Sequence, residues 1–166
     1  MKNGIILIYE FQPLEKKVEV VVMSEKWIIP CNVKLFDVVQ HFKENKRVVW
    51  KNSFTIRKGD IAYIYLGQPY GEIKYKCIVV SDTVDDEKLN ANAYAIPQKK
   101  SNNYFSKKLK YIEMELVCEY PEGTFKFEDL KNNGLGQVQI QARADRHLQQ
   151  YLSEIESSIL GGERNA

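Results

Sequence analysis

Two histidines and three cysteines are all that 166 residues offer for metal binding or thiol chemistry. His41 and His147 sit on helix-like stretches with no cysteine or second histidine at ligand spacing, so no metal site is expected. Cys31, Cys77 and Cys118 make no CxxC pair; an odd set in strand-like surroundings reads as buried thiols in a reducing cytoplasm. A glycine-rich phosphate loop is missing too. Gly134-Leu135-Gly136 lacks the rest of a dinucleotide fingerprint and reads as a helix-ending turn, so no cofactor is expected. No apolar run is long enough to cross a membrane, and the one after Met1 is too short for a signal peptide. Net charge is small as well: a value of +2 neither demands nor forbids nucleic acid, and its distribution matters more than its sum.

Catalytic groupings are equally thin. Asp82, Asp85, Asp86 and Glu87 form an acidic run, but no strand-borne lysine or histidine cluster accompanies it as a metal-dependent nuclease requires. The run reads as a solvated loop. With no nucleophile–base pair in view, a non-catalytic protein is expected.

A chain of this length makes one domain that buries most of its apolar surface without metals or disulfides. Residues 1–22 stand apart: Gly4–Phe11 and Val18–Val22 are β-prone and are broken by Gln12-Pro13-Leu14-Glu15-Lys16-Lys17. They read either as an extra hairpin or as an extension upstream of a natural start at Met23. The main domain is expected over residues 23–160 and a flexible tail over 161–166. Strands are predicted at Lys26–Pro30, Arg47–Trp50, Ile61–Leu66, Ile73–Ser81 and Leu109–Glu119, with Ile61–Leu66 alternating as a half-buried strand does. Helices are predicted at Asp37–Lys43, Phe127–Lys131 and Ala144–Ile159, the last with Leu148, Leu152, Ile155 and Ile159 on one stripe. Short strands with few helices point to an α+β fold: a small mixed β-barrel of about five to six strands, flanked by short helices and a C-terminal helix.

Against these absences stand the two tryptophans, each opening a polar motif: Trp27-Ile-Ile-Pro-Cys-Asn32 and Trp50-Lys-Asn-Ser53. Both motifs end in small hydrogen-bonding side chains. That combination suits a pocket that stacks a flat ring and reads its edge, as a flipped or single-stranded base requires. Lys43, Lys46, Arg47, Lys51, Arg57 and Lys58 surround Trp50 and Phe54; Lys99, Lys100, Lys107, Lys108 and Lys110 surround Tyr104 and Phe105. Cations neutralise phosphates, and aromatic faces hold bases at about 1–3 kcal/mol each. The second stretch reads equally as solubilising surface.

Together with Gly59-Asp60-Ile-Ala-Tyr-Ile-Tyr65 and Ile73-Lys-Tyr-Lys-Cys77, these motifs resemble the EVE-domain family, a member of the PUA-like group that also contains the YTH and ASCH domains. The similarity runs from Lys26 through the tail around Gln137–Leu152. It implies a small barrel whose concave face holds an extruded modified base in an aromatic cage: 5-methylcytosine, 5-hydroxymethylcytosine or N6-methyladenine in DNA. It also implies a possible nuclease or AAA+ partner from modification-dependent restriction, and no membrane. By the same resemblance Trp50 is the stacking wall and Asn32 the edge reader. Asn52 and Ser53 reach the base or its phosphate, and Tyr65 and Tyr70 bracket a loop that supplies a second wall. Trp27 serves either the base or the core. Lys51, Arg57, Lys58 and Arg143 are the candidate backbone contacts, Arg143 having capping or salt-bridging of its own helix as its alternative. Three other readings stay open: a reader of modified RNA, an interaction or small-ligand module on the same fold, and a nucleoside hydrolase of ASCH type.

Overall fold

The computed structural model describes residues 23–91 and 110–164. The hairpin expected within residues 1–22, and the cationic stretch of Lys99, Lys100, Lys107 and Lys108 around Tyr104 and Phe105, lie outside the described residues.

Among the described residues the order is β1 (Lys26–Cys31), α1 (Val38–Glu44), β2 (Arg47–Asn52), β3 (Ile61–Leu66), β4 (Glu72–Ser81), α2 (Asp86–Ala91), β5 (Lys110–Glu119), α3 (Phe127–Asn132), β6 (Ala142–Arg143) and α4 (Arg146–Arg164). The strands form one mixed sheet in the order β2-β5-β4-β3-β1-β6. Only β1 and β3 run parallel, Lys26 opposite Ile61 through Cys31 opposite Leu66. The sheet curls into a half-barrel, as the α+β expectation required.

Period-two alternation sends side chains to two separate cores. Trp27, Ile29 and Cys31 of β1 join Ala62, Ile64 and Leu66 of β3 on the concave face, with Tyr75, Cys77, Ile112 and Met114. Ile28, Tyr63, Tyr65 and Ile73 face outward onto Leu130 of α3 and Leu148 and Leu152 of α4. The prediction of a half-buried Ile61–Leu66 strand is therefore corrected. Nearly every residue of β3 is buried, because helices cover the face that would otherwise meet water.

Local capping sets the helix starts. The Asp37 carboxylate accepts the Gln40 N–H at 2.9 Å, and that of Asp145 accepts the Leu148 N–H at 2.8 Å. The latter delays α4 from the expected Ala144 to Arg146. Gly134 ends the α3 region with φ +102°, and a Cβ there would stand 3.0 Å from Asp145 Oδ1, so its glycine serves both the turn and the cap beside it. α4 continues to Arg164 across Gly161 and Gly162, where the sequence pattern placed a tail. Cooperative propagation from a packed helix outweighs the cost of two exposed glycines, about 1 kcal/mol each. The acidic run is also more than a solvated loop: Asp85 accepts the Lys88 N–H at 2.8 Å at the start of α2, and Asp82 accepts the Lys58 N–H at 3.0 Å.

One carboxylate ties α4 to the sheet. Glu156 accepts hydrogen bonds from Lys76 Nζ at 3.0 Å, Tyr63 Oη at 3.2 Å and Tyr120 Oη. Burial, followed by the nearby Glu156 charge, pushes the Tyr63 hydroxyl above its ordinary range. Cys31 and Cys77 are buried free thiols, both pushed up to about 12 chiefly by desolvation. Cys118 is half-buried.

Candidate functional site

The edges of the half-barrel meet through one side chain. Gln141, immediately before β6, donates from Nε2 to the Lys51 carbonyl at 2.6 Å. Its Oε1 accepts the Ser53 N–H at 3.0 Å. Four antiparallel pairings and one parallel pairing separate β2 from β6, so these two strands point the same way. A donor and an acceptor placed either side of Asn52 are what a parallel neighbour would offer. The buried Gln141 amide thus stands in for a missing ladder and holds the end of β2. Gln141→Ala strands two main-chain groups, and we expect it to cost about 2 kcal/mol in denaturant titration. Hydrogen exchange at Ser53 should accelerate in parallel; unaltered exchange would show that the clamp holds nothing.

β2 carries Trp50 and Asn52 toward the concave face and turns Lys51 to the opposite one, where its side chain is exposed. Trp50 is half-buried and packs on the concave core. The Phe36 ring meets it edge-on at 5.6 Å and 73°. Phe36 arrives through the turn after β1, where the Asn32 carbonyl accepts the N–H groups of Leu35 at 2.9 Å and Phe36 at 3.1 Å. The Asn32 side chain accepts the Lys34 N–H at 3.1 Å in the same turn, and its amide N–H₂ is left unused among the described residues. Asn32 and Trp50 are therefore linked through Phe36, a residue the sequence reading passed over. Its position four residues after the Trp27 motif carried no recognisable signal.

Asn52 is occupied locally. Its Oδ1 accepts the Phe54 N–H at 3.2 Å and its Nδ2 donates to the Ile56 carbonyl at 3.0 Å. It builds the loop after β2 and has little left for a ligand edge. Ser53 is exposed, its N–H held by Gln141.

Trp27 is 4 % exposed, part of the concave core. Its indole N–H donates to Asp60 Oδ2 at 3.0 Å. The same buried carboxylate accepts the Arg57 N–H at 3.0 Å and, on its other oxygen, the Glu25 N–H at 3.0 Å. Gly59, with φ +92°, makes the turn that aims Asp60 inward; open space surrounds it, so only backbone conformation demands glycine there. Arg143 lies 5.2 Å over the Trp27 ring and reaches Glu25, the residue before β1, at 3.6 Å, so its ion pair is not with the helix that follows it. Phe54 stacks beside it at 6.2 Å and 29°. The side chains of Arg57 and Lys58 are exposed on the following loop.

Among the described residues neither tyrosine makes a ring contact with Trp50. Tyr65 is buried on the opposite face of β3, edge-on to Phe127 at 6.1 Å. Tyr70 lines a groove of about 630 Å³ with Glu72, Glu122, Lys126 and Phe127, beyond the Gln68–Pro69 cis peptide. A second groove of about 390 Å³ lies along Lys76, Val117, Glu156 and Leu160. Neither groove includes Trp50. Period-two alternation decides the Tyr65 case: it shares its face with Tyr63, while Ile64 and Leu66 face the barrel interior.

No protein-family model matches the sequence, and no curated protein matches it. Solved structures do match the fold. The human THYN1 protein, solved in complex with 5-methylcytosine-containing DNA, is 12% identical with a TM-score of 0.53, covering 80% of this chain and 98% of its own. The ASCH protein of Zymomonas mobilis is 10% identical at a TM-score of 0.53, covering 78% and 94%. A hypothetical protein from Leishmania major is 16% identical at 0.53, covering 81% and 96%. The fold is PUA-like. In this PUA-like half-barrel the two tryptophans take different stations: Trp27 is locked into the core by Asp60, and Trp50 stays partly open at the concave face.

Proposed function

We propose that this domain binds nucleic acid carrying a modified base and takes that base, flipped out of the strand, against Trp50. One observation carries the reading. Trp50 is the half-buried tryptophan of the pair, on the concave face, and its indole N–H makes no hydrogen bond to any described residue. In the turn that delivers Phe36 to Trp50, the Asn32 amide N–H₂ engages no described residue and is available to a base edge. The likeness of fold to a protein solved with 5-methylcytosine DNA supports DNA as the partner. Methylated or hydroxymethylated cytosine and methyladenine are the candidate bases.

The energies are consistent with a reader of modest affinity. Extruding a base costs a few kcal/mol, which stacking and edge hydrogen bonds offset. A buried methyl adds only about 0.8 kcal/mol, so discrimination needs pocket shape and rejection of the unmodified base. With a net charge of +2, phosphate contacts through Lys51, Arg57, Lys58 and Arg143 make binding salt-sensitive and moderate. A nuclease or AAA+ partner in the cytoplasm would supply the action that follows reading. No catalytic step is assigned: Lys51, the lysine next to Trp50, is exposed on the opposite face of β2.

The test is a titration against short duplexes bearing 5-methylcytosine, 5-hydroxymethylcytosine, N6-methyladenine or no modification, with matched RNA. Tighter binding to one modified DNA is expected, with RNA competing weakly. Equal binding to all of them, unmodified duplex included, would sink the reading.

A further inference from the structure

An exposed phenylalanine is ordinary in itself. Phe54 is less ordinary in how it is held. It is 43 % exposed, yet the loop around it is pinned by side-chain hydrogen bonds at Ser53, Ile56 and Arg57. Asn52 brackets it through the Phe54 N–H and the Ile56 carbonyl. Gln141 holds the Ser53 N–H, and Asp60 holds that of Arg57. The ring rests on Trp27, which also lies beneath the Arg143 guanidinium at 5.2 Å. An aromatic with an open outer surface and a planar cation thus share the Trp27 ring as their support, with exposed Arg57 and Lys58 following Phe54 on the same loop.

We propose that Phe54 is a second stacking position, holding the nucleotide that flanks the captured base, with Arg143 set to receive the phosphate between them. This rests on the reading of Trp50 as the base wall. Phe54 follows Trp50 by four residues, at most about 13 Å of extended chain, a span that a few nucleotides of one strand cover. Charge complementarity selects a polyanion over an apolar peptide as occupant. The Arg143–Glu25 pair does not oppose this, because an exposed ion pair at 3.6 Å carries little weight and exchanges readily for a phosphate. A ring that merely covered Trp27 would contribute to stability and nothing to affinity; a stacking ring contributes to affinity for every base, since every base has a π-face.

The experiment measures binding of wild type, Phe54→Ala and Phe54→Trp to duplexes with and without the modified base. A 2-aminopurine is placed on either side of the target to report stacking. Phe54→Ala should weaken both duplexes by the same factor, about tenfold, leaving the ratio between them unchanged. Phe54→Trp should bind as well as wild type, and quenching of the flanking 2-aminopurine should vanish only in the alanine variant. If wild type prefers the modified duplex and Phe54→Ala binds both duplexes as wild type does, this inference is overturned and the Trp50 reading stands. If Phe54→Ala loses only the preference, Phe54 belongs to the base pocket and the flanking assignment is overturned. If wild type binds no duplex, both readings fall together.

Discussion

Trp50→Ala should abolish the preference for a modified duplex and reduce its binding at least tenfold, while the protein stays folded. The loss follows from the stacking surface, about 1–3 kcal/mol per base, and from an indole donor that no described residue engages. Extrusion of a base is close to balanced energetically, so removal of its main wall leaves the base in the helix. What then remains is salt-sensitive phosphate binding, equal for modified and unmodified DNA. Trp50 contributes to the concave core by its edge against Phe36 and is half-buried, so unfolding by denaturant should show only a moderate decrease in stability. Trp50→Phe is the companion variant: it retains a smaller stacking face and loses the donor, and should fall between the two. Retention of the full preference in Trp50→Ala would remove Trp50 from the site, and the preference would have to be sought elsewhere on the half-barrel.

The largest stability effect is expected at Asp60. Replacing it with alanine strands three N–H donors at once: the Trp27 indole and the main-chain groups of Glu25 and Arg57. Each unsatisfied donor costs about 1–3 kcal/mol, partly offset by water entry and by relief from burying a carboxylate. A net loss of about 3 kcal/mol is a large share of the roughly 5–15 kcal/mol that a domain has in total. It should lower the melting temperature by about 10 °C. Asp60→Asn keeps one acceptor but turns an N–H₂ toward a donor, and should fall between alanine and wild type. Trp27→Phe removes one of the three donors, so its cost should be smaller in the Asp60→Ala background than in the wild type. A melting temperature within a degree of wild type for Asp60→Ala would mean that the carboxylate organises nothing. Because Asp60 also fixes the Arg57 end of the Phe54 loop, the alanine variant should weaken DNA binding without changing which base is preferred.

The frame was legible in local pattern. Five strands and three helices followed from alternation, apolar stripes and capping residues, because these depend on neighbours within a few positions. Two elements escaped. β6 is two residues long, and only its pairing with Trp27 and Ile28 makes it a strand. α2 opens inside an acidic run whose composition suggested a loop, and its Asp85 cap is one carboxylate among several. Where the candidate residues sit was legible only in part. Trp50 and Asn32 share one neighbourhood through Phe36, but Asn52 turned out to build a loop, and Tyr65 faces the other core. Gln141 escaped altogether, since its partners lie some ninety residues away and glutamines at 137, 139 and 141 look alike in sequence.

By itself, the sequence determined the α+β fold and the thiols and histidines without ligand spacing, and it singled out the two tryptophan motifs as candidates for an aromatic pocket. Tertiary structure decided which tryptophan stays open. The two motifs differ little in local chemistry, and each could serve a core or a ligand. A carboxylate arriving from the turn before β3 engages the Trp27 indole and buries it, while the end of β2, clamped by a side chain from the far edge of the sheet, leaves Trp50 at the concave face. Long-range pairing made that choice, because hydrogen-bond partners brought together by the curl of the sheet leave no mark in the residues on either side of a tryptophan.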